Sequence, residues 1–289
     1  MPWWHIAILA LIQGAAELWP ISSSAHVIVA ERLLGLDPGA PEMTWLLVML
    51  HTGTMGAVLV YFWPQWRRLL ATKARGPFLR RVCLATACTG GLGLALTLVL
   101  EQLVLARLLG HAHAEVEQLF RQLPLISAAL LAVGLLILRA SWQDGPQERH
   151  LLTDRRALLI GVVQSLCLPF RGFSRSGATI STALLCGLSR RDAESFSFAL
   201  AVGLTPPVLG RELWRLWTAH ARGPTEGMAG TLGGSLWHGF LGMVCSAGAG
   251  LVALVALSAV LERGRWAYFG YYCVLAAGAV GLGHVLGFI

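Results

Sequence analysis

Long apolar runs separated by short polar loops dominate this chain, and two polar segments interrupt that pattern. Six of the runs are long enough to cross a bilayer core, which needs about 20 helical residues. These runs are residues 43–63, 82–106, 117–139, 193–217, 236–261 and 267–288. The pattern predicts an all-α polytopic membrane protein with six transmembrane helices.

The two polar segments each divide an apolar region into two half-length helical pieces. The first segment, residues 17–26, lies within region 3–34, and the second segment, residues 171–179, lies within region 157–189. Non-helical backbone at membrane depth persists only where protein or a water-filled cavity satisfies its polar groups. We therefore predict that each region is a re-entrant helical hairpin, which enters the membrane and turns back.

Basic residues predict how the chain is oriented. Loops 64–81 and 139–156 carry six and four basic residues and are expected to be cytoplasmic, whereas residues 101–117 and 218–235 are expected to face the other side. The two hairpins then enter from opposite faces, with their tips close to the midplane. This layout predicts a single integral membrane domain, residues 1–289, that contains an inverted repeat.

Each repeat is a hairpin followed by three spans. The first repeat is residues 1–139 with hairpin 3–34, and the second is residues 157–289 with hairpin 157–189. Transporters use inverted repeats to place a binding site at mid-depth, so the architecture alone leaves transport open.

The composition supports the membrane class and narrows the choice of partners. Hydrophobic residues make up 56% of the chain and charged residues only 13%. The net charge of +7 comes from 21 arginines and one lysine. These residues cluster between apolar runs, as expected beside an anionic membrane surface and not for binding nucleic acid. The six cysteines lack metal or disulfide spacing, so any metal is expected to be a hard ion with oxygen ligands, Mg²⁺ or Ca²⁺.

The second segment has the composition of an anion-binding turn. Gly172, Ser174, Arg175 and Ser176 come just before an apolar helical run that starts near Ala178. Helix N-termini present N–H groups with partial positive charge, and arginine can bond two phosphate oxygens at once. We interpret this segment as a phosphate site, with a structural counter-ion role for Arg175 as the alternative.

The first segment supplies a carboxylate, hydroxyl groups and an imidazole. Gln13 lies one helical turn before Glu17, where both side chains can hold a hard cation together with substrate phosphates. The hydroxyls of Ser22–Ser24 lie between Glu17 and His26, and a serine activated by either group can act as a nucleophile. The alternative is a buried Glu–His ion pair without chemistry. His51 is interpreted as a helix-packing residue or as support for a site residue.

Together these residues resemble the signatures of the undecaprenyl-diphosphate phosphatase family, the bacterial membrane enzymes associated with bacitracin resistance. The first signature, Glu or Gln, then Glu four residues later, then Pro-x-Ser-Ser-x-x-His, is matched by Gln13, Glu17, Pro20, Ser22, Ser23 and His26. The second, Pro-Gly-x-Ser-Arg-Ser-x-x-Thr, is matched by Gly172, Ser174, Arg175, Ser176 and Thr179. Order and spacing agree over essentially the whole chain, although Arg171 stands where the second signature has proline.

The resemblance implies an enzyme that hydrolyses undecaprenyl diphosphate to undecaprenyl phosphate and inorganic phosphate, which recycles the lipid carrier for cell-wall synthesis. It implies Mg²⁺ or Ca²⁺ as cofactor, a site on the outer side of the bacterial cytoplasmic membrane, and a homodimer. The implied catalytic residues are Glu17, Ser23, His26 and Arg175. The implied phosphate ligands are Gly172, Ser174, Arg175, Ser176 and Thr179, and the implied metal ligands are Gln13 and Glu17. Whether Ser23 or His26 attacks is left open.

Two other functions fit parts of the sequence. A transporter that flips polyprenyl phosphate would use the same opposed hairpins and anion site, but it would need no nucleophile. An assembly factor without small-molecule chemistry would tolerate neutralisation of Glu17 and Arg175.

Overall fold

The computed structural model describes residues 2–36, 41–100, 123–143, 151–170, 172–221 and 232–286. Every regular element within these ranges is helical, with no strand. Arg171, the side chain of Ser24, the whole of the predicted loop 101–117 and parts of the predicted loops 139–156 and 218–235 lie outside the described residues.

Ten helices occur in the described ranges. They are α1 (Trp3–Leu18), α2 (Ser23–Leu33), α3 (Pro41–Leu70), α4 (Arg75–Val99), α5 (Leu123–Trp142), α6 (Asp154–Ser165), α7 (Arg175–Leu185), α8 (Arg190–Ala221), α9 (Leu232–Glu262) and α10 (Ala267–Val285). The prediction of an all-helical chain is therefore confirmed.

Five stretches of the described residues are long and apolar enough to cross a membrane. They are Met43–Leu70, Arg75–Val99, Leu123–Trp142, Trp237–Glu262 and Ala267–Val285. Helix α8 contains the predicted span 193–217 but is not among these stretches, and Pro206 and Pro207 lie inside it. The chain is thus a multi-pass membrane protein, and its sixth span stays a prediction.

Both polar segments separate two short helices, as their sequence pattern predicts. The first region forms α1 and α2, which pack on each other and are joined by residues 19–22. The second region forms α6 and α7, which also pack on each other and are joined by residues 166–174. The helices have 16, 11, 12 and 11 residues, shorter than the length that a bilayer core requires.

The described chain divides into two compact units. The first unit comprises Met1–Trp19, Ser23–Arg68 and Ala201–Leu257. Its buried core consists of Ile6, Leu9, Ala10, Val27, Ala30, Met43, Leu46 and Leu50. Glycine permits close helix contact at its centre, because a Cβ atom on Gly14 would lie 2.6 Å from the Ala249 Cβ atom. Small residues at such contacts are typical of membrane helix pairs, in which close backbone approach provides much of the attraction.

The second unit comprises Pro20–Ser22, Leu69–Leu200 and Ser258–Ile289. Helices α4 and α6 pack closely, and the Thr89 hydroxyl donates to the Gly161 carbonyl at 2.9 Å. Helices α5 and α10 form a second close pair, in which the Ser127 hydroxyl donates to the Ala277 carbonyl at 2.7 Å. Each hydroxyl satisfies a polar group inside an otherwise apolar contact.

An ion pair joins the two loops that are predicted to be cytoplasmic. Asp154, at the start of α6, accepts hydrogen bonds from Arg80 at 2.5 Å and Arg81 at 3.1 Å. The hydrogen bond from Arg80 is the main cause that lowers the pKa of the Asp154 carboxyl, and Arg81 contributes to it. Residues of loops 64–81 and 139–156 therefore lie side by side, as a shared cytoplasmic face requires.

We predict that a methyl group at Gly161 disrupts the contact between α4 and α6. A Cβ atom there would lie 2.6 Å from the Ala85 carbonyl oxygen, which belongs to the rigid helix backbone. Gly161→Ala should lower the free energy of unfolding by about 1–3 kcal/mol, as overpacking usually does. Thermal unfolding of the purified protein in detergent measures this change.

Gly90→Ala on α4 is the matched control, because a Cβ atom at Gly90 would meet no atom within 4 Å. Alanine is the better helix former, so this variant should unfold at the same temperature as the wild type or higher. Equal unfolding temperatures for Gly161→Ala and the wild type would show that the contact is not tight.

Candidate functional site

Glu17 is the centre of a polar cluster in the first unit. Its Oε2 atom accepts a hydrogen bond from the Ser23 hydroxyl at 2.6 Å and another from the Gln13 amide at 3.2 Å. The His51 Nε2 atom lies 3.7 Å from the same oxygen. The Glu17 side chain is 20% exposed, so this charged group is largely shielded by its neighbours and still reachable. The prediction that Gln13 and Glu17 share one face of a helix is confirmed.

His51 belongs to this cluster, which agrees with its interpretation as support for a site residue. It lies on α3, and its Nδ1 atom is 2.8 Å from the Leu47 carbonyl, which can only accept. Nδ1 therefore carries the hydrogen, and Nε2 is the atom that faces Glu17. The signal available in the sequence was an ionisable residue inside an apolar run, which is a functional indicator in membrane proteins.

The turn between α1 and α2 positions the hydroxyl groups. Ser22 has φ of 68°, the one non-glycine residue in the left-handed region among the described residues. A side chain in this conformation costs of order 1–3 kcal/mol and usually marks a functional turn. Helix α2 begins at Ser23, the hydroxyl of which reaches back to Glu17. His26 follows three residues later on α2, so it is a neighbour of Ser23 on the helix surface.

The second segment places Arg175 at the first position of α7. Ser174 is the N-cap residue, and its hydroxyl accepts a hydrogen bond from the Gly177 amide at 3.4 Å. The Ser176 hydroxyl lies 3.3 Å from that of Ser174. Ser174 and Ser176 are 5% and 1% exposed, so these hydroxyls are packed inside the protein. A guanidinium beside a capped helix N-terminus is suited to binding an anion.

Close packing requires a glycine at position 172 of the second segment and leaves little space for a side chain at Gly177. Gly172 has φ of 99°, and a Cβ atom there would lie 2.8 Å from the Ile126 carbonyl. A Cβ atom on Gly177 would lie 3.1 Å from the Pro20 Cβ atom. The turn of the first segment therefore contacts the start of α7. The Cys273 thiol, on α10, also donates to the Pro20 carbonyl at 3.2 Å.

Thr179, a predicted phosphate ligand, lies inside the protein. It is 0% exposed, and its hydroxyl donates to the Arg175 carbonyl at 2.8 Å and lies 2.5 Å from the Ser197 hydroxyl of α8. A second polar contact on α7 is the Trp266 indole, which donates to the Ser181 hydroxyl at 2.9 Å. Thr179 thus links α7 to α8, and Ser197 is a contributor that the sequence analysis did not assign to the site.

The oxygen atoms around Glu17 fit a hard divalent cation. Glu17 provides a carboxylate, and Gln13 uses its amide nitrogen on Glu17, so the Gln13 carbonyl oxygen remains as a donor to metal. The described residues contain no group of three or more His, Cys, Asp or Glu side chains that could hold a metal ion. Mg²⁺ is commonly bound by one or two carboxylates together with substrate phosphates, so this donor set suits an ion that arrives with its substrate.

Comparison with known proteins identifies relatives over nearly the whole chain. Residues 6–279 match the family described as "Bacitracin resistance protein BacA". The chain is 52% identical to undecaprenyl-diphosphatase 2 of Acinetobacter baylyi over 282 residues, which cover 96% of each protein. It is 34% identical to undecaprenyl-diphosphatase of Salinibacter ruber, over 96% of this chain and 98% of that protein. It is 33% identical to undecaprenyl-diphosphatase of Desulfosudis oleivorans, over 94% of each protein.

We predict that the stability provided by Ser174 as an N-cap can be distinguished from the stability provided by its packing. Ser174→Ala removes the oxygen that accepts from the Gly177 amide and should lower the free energy of unfolding by about 1 kcal/mol. Ser174→Gly should lower the free energy of unfolding by only about a few tenths of 1 kcal/mol, because glycine lets water reach the free amides at the start of the helix. Thermal unfolding in detergent distinguishes the two variants. If both variants lose stability equally, packing and not capping explains the loss.

Proposed function

This chain belongs to the bacitracin resistance protein BacA family, and we propose that it is an enzyme that hydrolyses undecaprenyl diphosphate to undecaprenyl phosphate and inorganic phosphate. The names of its relatives support this substrate. The hydrogen bond from Ser23 to Glu17 is the observation that carries the chemistry, because it pairs a hydroxyl nucleophile with a base at 2.6 Å. The product is the lipid carrier that cell-wall synthesis uses again.

The second segment binds the diphosphate in this proposal. The Arg175 guanidinium forms two hydrogen bonds to phosphoryl oxygens and offsets the charge that develops as the phosphoryl group is transferred. The N-terminus of α7, capped by Ser174, adds partial positive charge. Gly172 permits the turn before α7. The Thr179 hydroxyl stabilises the first turn of α7 by donating to the Arg175 carbonyl.

The first segment carries out the transfer. Glu17 takes the hydroxyl proton of Ser23 as the Ser23 Oγ atom forms a bond to the terminal phosphorus. The bond between that phosphorus and the bridging oxygen breaks, and undecaprenyl phosphate leaves with the electron pair. Water then attacks the phosphoserine and gives one proton to His26, while Glu17 returns its proton to the Ser23 Oγ atom. The bond between phosphorus and Oγ breaks, inorganic phosphate leaves, and Ser23 and Glu17 are restored; His26 passes its proton to solvent. In this proposal both segments act on one diphosphate.

The proposal includes Mg²⁺ or Ca²⁺ held by Glu17 and the Gln13 carbonyl oxygen. When bound, the ion neutralises negative charge on the diphosphate and orients its oxygens. A protonated His51 would pair with Glu17, since its Nε2 atom lies 3.7 Å from the same carboxylate oxygen. The oxygen donors of Glu17 and Gln13 support a hard ion, and so does the spacing of the cysteines in the sequence, which does not match a soft-metal site.

We place this enzyme in the bacterial cytoplasmic membrane with its site facing the outer side. Six spans and two re-entrant hairpins in an inverted repeat are supported by the paired short helices and by the shared position of loops 64–81 and 139–156. Apolar helices on both sides of the hairpins would hold the isoprenoid tail, which explains why the phosphatase is embedded in the membrane. The homodimer rests on the family resemblance.

We predict that Ser23→Ala abolishes phosphate release. Purified protein in detergent should lose about 100-fold or more in turnover of undecaprenyl diphosphate, because both the nucleophile and the proton donor to Glu17 are lost. Phosphate release is measured by colorimetry. Ser141→Ala, which removes a hydroxyl bonded only to its own helix, should retain wild-type activity.

The Ser23→Ala variant also tests the transporter alternative, in a transport assay. A flippase reconstituted in vesicles would move labelled polyprenyl phosphate in the Ser23→Ala protein as fast as in the wild type. Wild-type protein that releases no phosphate would refute the enzymatic proposal.

We predict that chelation reversibly stops the reaction. EDTA should reduce phosphate release to background, and excess Mg²⁺ or Ca²⁺ should restore it, because the charge of the diphosphate is then neutralised again. Gln13→Leu keeps the size of the side chain but removes the carbonyl oxygen that would hold the ion. This variant should need a higher concentration of Mg²⁺ for half-maximal activity than Gln65→Leu, a control outside the cluster. Full activity in EDTA would exclude a dissociable metal.

A further inference from the structure

The turn between α1 and α2, residues 20–22, is buried although it is not helical. By its contacts Pro20–Ser22 belongs to the second unit, whereas the helices before and after it belong to the first. Pro20 is buried, and Ile21 and Ser22 are 8% and 6% exposed. Buried backbone groups outside a helix need hydrogen-bond partners in the protein or in bound water. The groups that contact this turn therefore determine its conformation.

The Cys273 thiol of α10 supplies one such partner. It donates to the Pro20 carbonyl oxygen at 3.2 Å. Cys273 is 0% exposed, and a Cβ atom on Gly134 of α5 would lie 3.0 Å from the Cys273 Cβ atom. The close contact between α5 and α10 fixes the Cβ atom that carries the thiol. Because a single side-chain torsion then sets the position of the sulfur, the donor is held in place.

Apolar contacts also confine Pro20, but they do not orient its carbonyl. A Cβ atom on Gly177 would lie 3.1 Å from side-chain atoms of Pro20, Val133 and Ile137, so these residues surround one small space. Val133 and Ile137 are 0% exposed. Apolar contact is non-directional, whereas a hydrogen bond depends on angle as well as distance. The bond from Cys273 is therefore the contact that selects the orientation of the Pro20 peptide group.

The orientation of this peptide group matters because the turn is strained. Ser22 has φ of 68°, a conformation that persists in a non-glycine residue only where the surroundings impose it. Ser23 follows directly, and its hydroxyl donates to Glu17 at 2.6 Å. A change in the turn would alter the backbone from which Ser23 projects, and a hydrogen bond of this length tolerates little displacement.

We propose that Cys273 is a positioning residue for the reaction, the thiol of which holds the Pro20 carbonyl and thereby the turn from which Ser23 reaches Glu17. Cys273 does not contact the substrate in this proposal, and its thiol stays protonated and reduced throughout. The inference rests on the proposed function, because it assigns to Ser23 the role of nucleophile.

Two substitutions of Cys273 test the proposal by kinetics. Cys273→Ala removes the donor and should lower kcat for undecaprenyl diphosphate by about 10-fold, because a small displacement of a reacting group has a large effect on rate. KM should stay unchanged, since the proposed phosphate ligands are intact. Cys273→Ser loses a similar volume but keeps a donor, so it should restore most of kcat. Cys83→Ala, which removes an exposed thiol from α4, should behave as the wild type.

Amide hydrogen exchange provides a readout that does not depend on turnover. Exchange measured by mass spectrometry should be faster in peptides that cover residues 18–25 of Cys273→Ala, because the turn opens more often without its hydrogen bond. In Cys273→Ser the same peptides should exchange at the wild-type rate. Peptides from α5 should be unchanged in both variants. Faster exchange in α5 as well would show that packing between α5 and α10 is lost, which would refute a specific role for the hydrogen bond.

The outcomes separate this inference from the proposed function. If the wild type hydrolyses undecaprenyl diphosphate and Cys273→Ala does so with unchanged kcat, the role of Cys273 is refuted and the enzymatic function stands. Equal loss of kcat in Cys273→Ala and Cys273→Ser would also refute it, because volume and not the donor would then explain the loss. If the wild type releases no phosphate although exchange in the turn depends on the donor at Cys273, the thiol holds the turn but the hydrolase proposal fails.

Discussion

A carboxylate among apolar helices is stable only where donors or a cation face it, and Glu17 shows how this chain meets that requirement. Its partners come from three helices: Gln13 from α1, Ser23 from α2 and His51 from α3. The charge can be accommodated only once the hairpin has formed and α3 has packed against it. Folding of the first unit and assembly of its polar cluster are thus one event, and loss of any partner leaves a charged group poorly compensated.

The second unit positions a group of the opposite charge, the Arg175 guanidinium. Arg175 projects from the start of a short helix that other elements hold firmly: Thr179 pairs with Ser197 of α8, and Ser181 accepts from Trp266. Hydroxyl-to-hydroxyl and indole-to-hydroxyl bonds are directional, so they fix the rotation of α7 about its axis in a way that apolar packing does not. A fixed helix fixes the direction of its N-terminus, and preorganised donors are the main source of electrostatic stabilisation in catalysis.

Periodicity and residue type were sufficient to predict much of this arrangement. The apolar runs predicted the long helices, and Pro, Gly and Ser in the two polar segments predicted where the short helices divide, because these residues favour turns for local reasons. The pairing of Gln13 with Glu17 followed from helical spacing. The signature residues also predicted membership of the family, which the comparisons confirm.

Contacts between residues distant in the sequence could not be predicted in the same way. His51 lies 34 residues after Glu17 on another helix, and no local pattern determines which face of α3 meets the hairpin. Ser197 belongs to an apolar stretch of α8, in which a serine has no distinguishing spacing. Thr179 was assigned to phosphate from its motif, whereas its hydroxyl is engaged with the protein, a difference that only packing could determine.

The difference between the two halves follows from what a diphosphate requires. In the proposed mechanism, Glu17 of the first segment is the anion that accepts the proton of Ser23. The same carboxylate beside Arg175 would neutralise the guanidinium and repel the phosphate. A similar hairpin scaffold can therefore carry opposite charges, and the substrate needs both because its phosphoryl group must be bound by cations and attacked by an activated oxygen.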